Sequence, residues 1–150
     1  PFGVYVDYAH TDDALSNVLE ALREITPGKL QVVFGCGGNR DAGKREKMGR
    51  VAIELADAVT VTTDNPRNED PSIIAQQIAE GCSSVKQEGW RIELDRARAI
   101  DEVLRSAQPG DTVLVAGKGH ETYQEVNESV IPFDDREQTR TILANLGFER

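Results

Sequence analysis

The sequence is poor in cysteine, poor in histidine and short of basic charge, and it contains no apolar run that approaches the length of a bilayer span. Its two cysteines, Cys36 and Cys82, stand far apart without C-x-x-C spacing. They read as unpaired thiols without chemistry, which fits a reducing cytosol. The two histidines, His10 and His120, make no metal-ligand spacing, so no metal ligand is expected in this chain. Lys and Arg total 17 against 26 Asp and Glu, for a formal charge of −9. Such a field repels a polyanion, so no nucleic-acid partner is expected. There is no basic-then-apolar leader, internal repeat or low-complexity tract. A cytoplasmic protein without a membrane partner is expected. The first residue is Pro1 where a natural start would be Met, so a segment of a longer protein is expected as well.

What is present alternates between two periodicities. Val4–Tyr8 reads as a strand, followed by Thr11 as a helix cap, with Asp12 and Asp13 where carboxylates suit the positive end of the helix dipole. Leu15, Val18, Leu19 and Leu22 then fall on one helical stripe. Leu30–Phe34, Ala58–Thr62 and Arg91–Leu94 read as further strands, and Thr112–Ala116 as a fully apolar strand of the buried parallel type. Helices are expected around Met48, Val51, Ala52 and Leu55, and after the Asp70-Pro71 start with Gly81 near its stop. Two more follow, one after Asp95 and one carrying Ile142, Leu143 and Leu146. A short hairpin is expected over 125–132, around Asn127-Glu128. Repeated strand–helix units predict an α/β, Rossmann-like three-layer domain over 1–150. It should have a mostly parallel sheet of about six strands with helices on both faces. At this length one domain buries a sufficient core without a disulfide or metal.

The chemically unusual residues gather after strands. Asp7-Tyr8-Ala9-His10 follows the first, Gly35-Cys36-Gly37-Gly38-Asn39-Arg40-Asp41 the second, Asp64-Asn65-Pro66-Arg67 the third and Gly117-Lys118-Gly119-His120-Glu121 the fifth. In an open α/β sheet the carboxyl ends of the strands line the ligand crevice, so all four loops should converge there. Arg40, Lys44, Arg45, Arg67 and Lys118 would then concentrate cations at one edge of an acidic domain. Gly38–Lys44 matches the phosphate loop G-x-x-x-x-G-K-[ST] up to its last position, but Arg45 stands where the Mg²⁺-binding hydroxyl belongs. The glycines read better as a turn that lets the backbone approach a ligand and aims Arg40 into the crevice. Asn65 donates and accepts, and Arg67 offers a planar fork for a carboxylate. With Arg40 they could make a carboxylate clamp, though by itself the tetrapeptide reads as an ordinary Asn-Pro turn with a solvated Arg. Glu121 could hold an ammonium group. His10 could reach a nucleotide, or serve only as a packing residue at a helix start.

Taken together the four motifs resemble the C-terminal domain of the Mur ligase family, and the likeness runs over essentially all 150 residues, including Asp134-Asp135-Arg136-Glu137. Asp7-Tyr8-Ala9-His10 marks only the superfamily shared with folylpolyglutamate synthetases. The other three loops resemble the branch that adds meso-diaminopimelate. The resemblance implies an ATP-dependent amide ligase of peptidoglycan synthesis, with ATP and Mg²⁺ held mainly by a central domain. That central domain and a UDP-binding N-terminal domain lie outside this chain. It implies that this domain brings in the amino acid and closes over ATP, so the isolated chain should be inactive and holds no catalytic residue. Arg40, Asn65 and Arg67 would bind the distal carboxylate of meso-diaminopimelate, with Asp64 orienting the loop. Gly117, through its carbonyl, and Glu121 would bind the distal ammonium, and Asp7 and His10 would lie on the nucleotide side. The implied partners are meso-diaminopimelate, ATP and UDP-N-acetylmuramoyl-dipeptide, and the implied state is a monomer. Lysine has no second carboxylate, so Arg67 would be left unpaired against it. The competing readings are a lysine-adding or folylpolyglutamate-synthetase-type ligase domain, a non-catalytic amino-acid or nucleotide-binding module, and a small kinase built on Gly38–Lys44.

Overall fold

A computed structural model describes residues 1–39 and 41–148. Strand β1 (Gly3–Asp7) leads through α1 (Asp12–Glu24) to β2 (Leu30–Phe34), and α2 (Gly43–Leu55) leads to β3 (Ala58–Val61). Next come α3 (Pro71–Ser83), β4 (Trp90–Ile92), α4 (Arg96–Ser106) and β5 (Thr112–Ala116), then the hairpin β6 (Tyr123–Val126) and β7 (Ser129–Pro132), and finally α5 (Asp135–Asn145). The main sheet has the order β1-β5-β2-β3-β4 and every pairing in it is parallel. The expectation of about six strands is met by five in this sheet, with β6 and β7 forming a separate antiparallel ribbon.

Alternation along the central strands builds two cores. Leu30, Val32 and Phe34 of β2, with Leu114 and Ala116 of β5, pack against Leu15 and Leu19 of α1, Met48 and Ala52 of α2 and Ile74 and Ile78 of α3. Val33, Val113 and Val115 face the opposite way, against Ala99, Ile100, Val103 and Leu104 of α4 and Ile142 of α5. Period-two side chains on a doubly covered sheet must be apolar on both faces, which is why β2 and β5 are buried throughout. Helix starts follow local chemistry: Thr11, Asp70, Asp95 and Asp134 each accept a backbone N–H two or three residues on.

Gly81 lies near the end of α3, as expected, two residues before Ser83. It lies inside the helix, where a Cβ would come within 1.9 Å of Glu46 O, and Gly49 on α2 is likewise pressed within 2.0 Å of Ile78 O. The two glycines let α2 and α3 touch backbone to backbone, so Gly81 also serves as a packing residue. Strand β4 ends at Ile92, short of Leu94, because Glu93 turns the chain and its carboxylate accepts Asp95 N as α4 begins.

Candidate functional site

Strand β5 lies between β1 and β2, so the order in which strands are added reverses there, and loops leaving β1, β2, β3 and β5 line one crevice of about 570 Å³. Its wall includes His10, Asp64, Asn65, Arg67, Gly117 and Glu121. The structure therefore brings together six of the eight residues singled out from the sequence. Asp7 is not part of this wall: its carboxylate accepts Ala9 N at 2.9 Å and shapes the turn behind it. Arg40 lies outside the described residues. His10 is exposed, with Nδ1 bonded to Tyr8 O at 2.9 Å and its carbonyl accepting from Lys44 Nζ at 2.7 Å. A neutral ring so held keeps Nδ1–H and leaves Nε2 as an acceptor.

The loop 64–67 is held from several sides. Gly38 N donates to Asn65 O at 2.7 Å, and a Cβ on Gly38 would fall 1.9 Å from Pro66 O, so only glycine lets the two loops run this close. Arg67 adopts φ +52, an uncommon left-handed conformation for a side-chain-bearing residue. The hairpin secures it: Arg67 N donates to Glu125 O, Asn127 N donates to Arg67 O, and the guanidinium donates to Gly38 O at 2.9 Å and Glu125 Oε2 at 3.1 Å. Gly117 takes φ +114 with its Cα close to Asp64, whose Oδ2 would lie 2.9 Å from an added Cβ.

Two of the five cations assigned to the crevice edge are buried instead. Arg45 is bonded to Glu69 through both guanidinium nitrogens at 2.9 and 3.1 Å, to Gln77 Oε1 at 2.8 Å and to Gly37 O at 3.0 Å. Arg45 pulls the Glu69 carboxyl below its usual range, helped by Asn39 N, which donates to the same carboxylate. This bears on the phosphate-loop reading. The residue in the hydroxyl's place is locked in an ion pair, and the loop amide at Asn39 already faces a carboxylate of the protein. Lys118 has a fully buried side chain beneath the crevice, bonded to Tyr123 O at 2.5 Å and Asn65 Oδ1 at 3.2 Å, with Glu121 Oε1 at 3.5 Å and Asp64 Oδ1 at 3.7 Å. Cys36 is pushed up to about 12 by burial, so the glycine-loop thiol is an inert packing group.

Sequence reasoning missed the parts supplied by the hairpin and by Lys118. Asn127 and Glu128 at φ +48 and +66 signal a tight two-residue turn, but nothing local says that the ribbon folds over 64–67. Lys118 is separated from the end of β5 only by Gly117, and its burial depends on loops and a hairpin that come from elsewhere in the chain. Among the described residues, no three or more His, Cys, Asp or Glu side chains gather as a metal site, and no helix is long and apolar enough to cross a membrane.

An open parallel sheet with a polar crevice at its switch point has the form of an α/β ligand-binding domain. Residues 1–119 match the family model described as Mur ligase, glutamate ligase domain, and the chain belongs to that family. It is 54% identical over 140 residues to UDP-N-acetylmuramoyl-L-alanyl-D-glutamate--2,6-diaminopimelate ligase of Synechocystis sp., which covers 93% of this chain and 27% of that relative. A solved structure of a ligase of that same name superposes with a TM-score of 0.91 at 42% identity, covering 97% of this chain and 30% of the other. A bifunctional folylpolyglutamate synthase/dihydrofolate synthase from Yersinia pestis superposes at 0.60 with 20% identity over 97% of this chain and 28% of that one, a likeness of fold alone. The chain thus spans under a third of the length of these relatives.

Proposed function

We propose that the chain is the amino-acid-binding domain of an ATP-dependent ligase that joins meso-diaminopimelate to UDP-N-acetylmuramoyl-L-alanyl-D-glutamate in peptidoglycan synthesis. The observation that carries the reading is the convergence of Asn65, Arg67, Gly117 and Glu121 on one crevice. A zwitterionic head group needs donors for its carboxylate and an acid for its ammonium, and these residues supply both. Arg67 and Asn65 offer N–H groups to the distal carboxylate, with Arg40 as a further candidate. Glu121 and the Gly117 carbonyl receive the distal ammonium. Asp64, buried under Gly117, orients the loop.

In the overall reaction a phosphoryl group from ATP activates the free carboxylate of the dipeptide. The amine of the incoming amino acid then attacks the acyl phosphate, and phosphate leaves as the amide forms. This chain's part is positional: it holds the distal end so that the other amine meets the acyl phosphate, and fixed orientation lowers the entropic barrier. His10 and Asp7 lie on the nucleotide side of the same loops. On this reading ATP and Mg²⁺ are held mainly by the central domain of the longer protein. That protein is cytoplasmic and acts as a monomer on this reading.

The test is phosphate release by the full-length protein given ATP, Mg²⁺ and the UDP-muramoyl-dipeptide, with meso-diaminopimelate or L-lysine added. Release that requires meso-diaminopimelate and collapses in Arg67→Ala is expected. Equal turnover with L-lysine would remove the specificity assignment, and release with neither would leave a binding module.

A further inference from the structure

Asn65 is buried apart from its edge on the crevice, and its carboxamide has only one orientation that satisfies its neighbours. Oδ1 accepts from Glu125 N at 3.1 Å and from Lys118 Nζ at 3.2 Å. Both partners are donors only, so the oxygen must face them and the amide nitrogen must face away. Among the described residues no acceptor is recorded for Asn65 Nδ2, nor is that atom among the sealed, unpartnered ones. Two N–H donors are therefore offered at the crevice wall. Lys118 is not part of that wall. It sits below it, its ammonium anchored on Tyr123 O at 2.5 Å and flanked by Glu121 and Asp64 at 3.5 and 3.7 Å.

Building on the proposed function, we propose that Lys118 is a positioning residue that locks Asn65 as a pure donor, so that the crevice recognises a carboxylate at that point and opposes an ammonium. A carboxamide free to turn could present its oxygen to a cation and would discriminate little between diamino acids with and without a second carboxylate. The lock removes that option. A neutral isostere at 118 leaves Glu125 N as the only restraint on the flip. A carboxylate at 65 keeps an oxygen for both donors but turns the outward-facing atom from N–H to O⁻.

The experiment uses the full-length protein and phosphate release with meso-diaminopimelate and L-lysine as probes. Asn65→Asp should raise KM for meso-diaminopimelate about 100-fold, leave KM for ATP within about 3-fold, and shift the preference toward L-lysine. Lys118→Met should raise the same KM about 10-fold with a smaller change in kcat. Because Lys118 acts through Asn65, the double variant should be no worse than Asn65→Asp alone. Wild-type KM for meso-diaminopimelate in Asn65→Asp overturns the donor assignment, and this holds even if Lys118→Met fails to fold. Additive losses in the double variant overturn the role of Lys118. Failure of the wild type itself to turn over meso-diaminopimelate would instead remove the proposed substrate.

Discussion

Two deeply buried cation sites, at Arg96 and Lys118, are built differently. Arg96, at the start of α4, is saturated: it bonds both oxygens of Asp135 at 2.7 and 2.6 Å, Thr63 O at 2.9 Å and Ala116 O at 3.1 Å, and neither partner's side chain is exposed. Burial works against the guanidinium's charge, but Asp135 outweighs it and raises the Arg96 pKa. Lys118 has an equally buried side chain, yet its two carboxylates stand at 3.5 and 3.7 Å and reach the crevice, Glu121 with 21% of its side chain exposed. Arg96 fastens α4 to α5 and to the ends of β3 and β5, a structural task needing full pairing. Lys118 ties together the loops that line the crevice, and on the proposed reading Glu121 stays available to a ligand. A buried charge therefore marks rigidity in one place and a prepared site in the other, and the partner geometry tells them apart.

The largest expected effect breaks the structural member of the comparison. Arg96→Met leaves Asp135 buried without a partner and should cost about 3–5 kcal/mol in chemical denaturation, whereas Arg96→Met with Asp135→Leu should recover much of that loss. Next, Arg67→Ala should lower meso-diaminopimelate binding by about 2–4 kcal/mol, read as kcat/KM in the full-length protein. Its denaturation midpoint should move far less than that of Arg96→Met. Lys118→Met should destabilise by about 1–3 kcal/mol, less than Arg96→Met, because Asp64 and Glu121 lie nearer water than Asp135. A fourth effect is smaller and depends on pH. The Glu69 carboxyl is depressed by Arg45, so its stabilising contribution is present above the ordinary carboxylate range and fades as pH falls through it. Glu69→Gln should therefore be less stable than wild type at pH 7, and the gap should close in acid denaturation curves. The smallest effect concerns the thiols: with Cys36 near 12 and Cys82 pushed up to about 11 by burial, neither should label with a thiol reagent at pH 8 until the domain unfolds.

Most of the fold was legible because its signals are local. Thr11, Asp70 and Asp95 announce helix starts, and largely apolar runs at 30–34 and 112–116 announce buried parallel strands. Gly81 was legible as lying near the end of α3, but not as a packing residue, because its close contact with α2 comes from a distant part of the chain. The motif loops were legible as a crevice because strand carboxyl ends in an open sheet share one edge. Arg45 and Lys118 were expected at the crevice edge, and their burial was not legible because charge alone says nothing of a partner 24 residues on, as Glu69 is for Arg45, or of a hairpin folding over the site.

The sequence by itself determined the α/β pattern, the loops that carry chemistry and the family resemblance, since period, caps and motif spacing are properties of neighbouring residues. Only the tertiary structure decided which cations face a ligand and which are spent internally, and which end of the Asn65 amide looks into the crevice. Those choices depend on donors and acceptors brought together across 60 and 53 positions of chain, as Glu125 and Lys118 are with Asn65. A hydrogen bond's direction is settled by its partner, and the partner arrives only when the chain has folded.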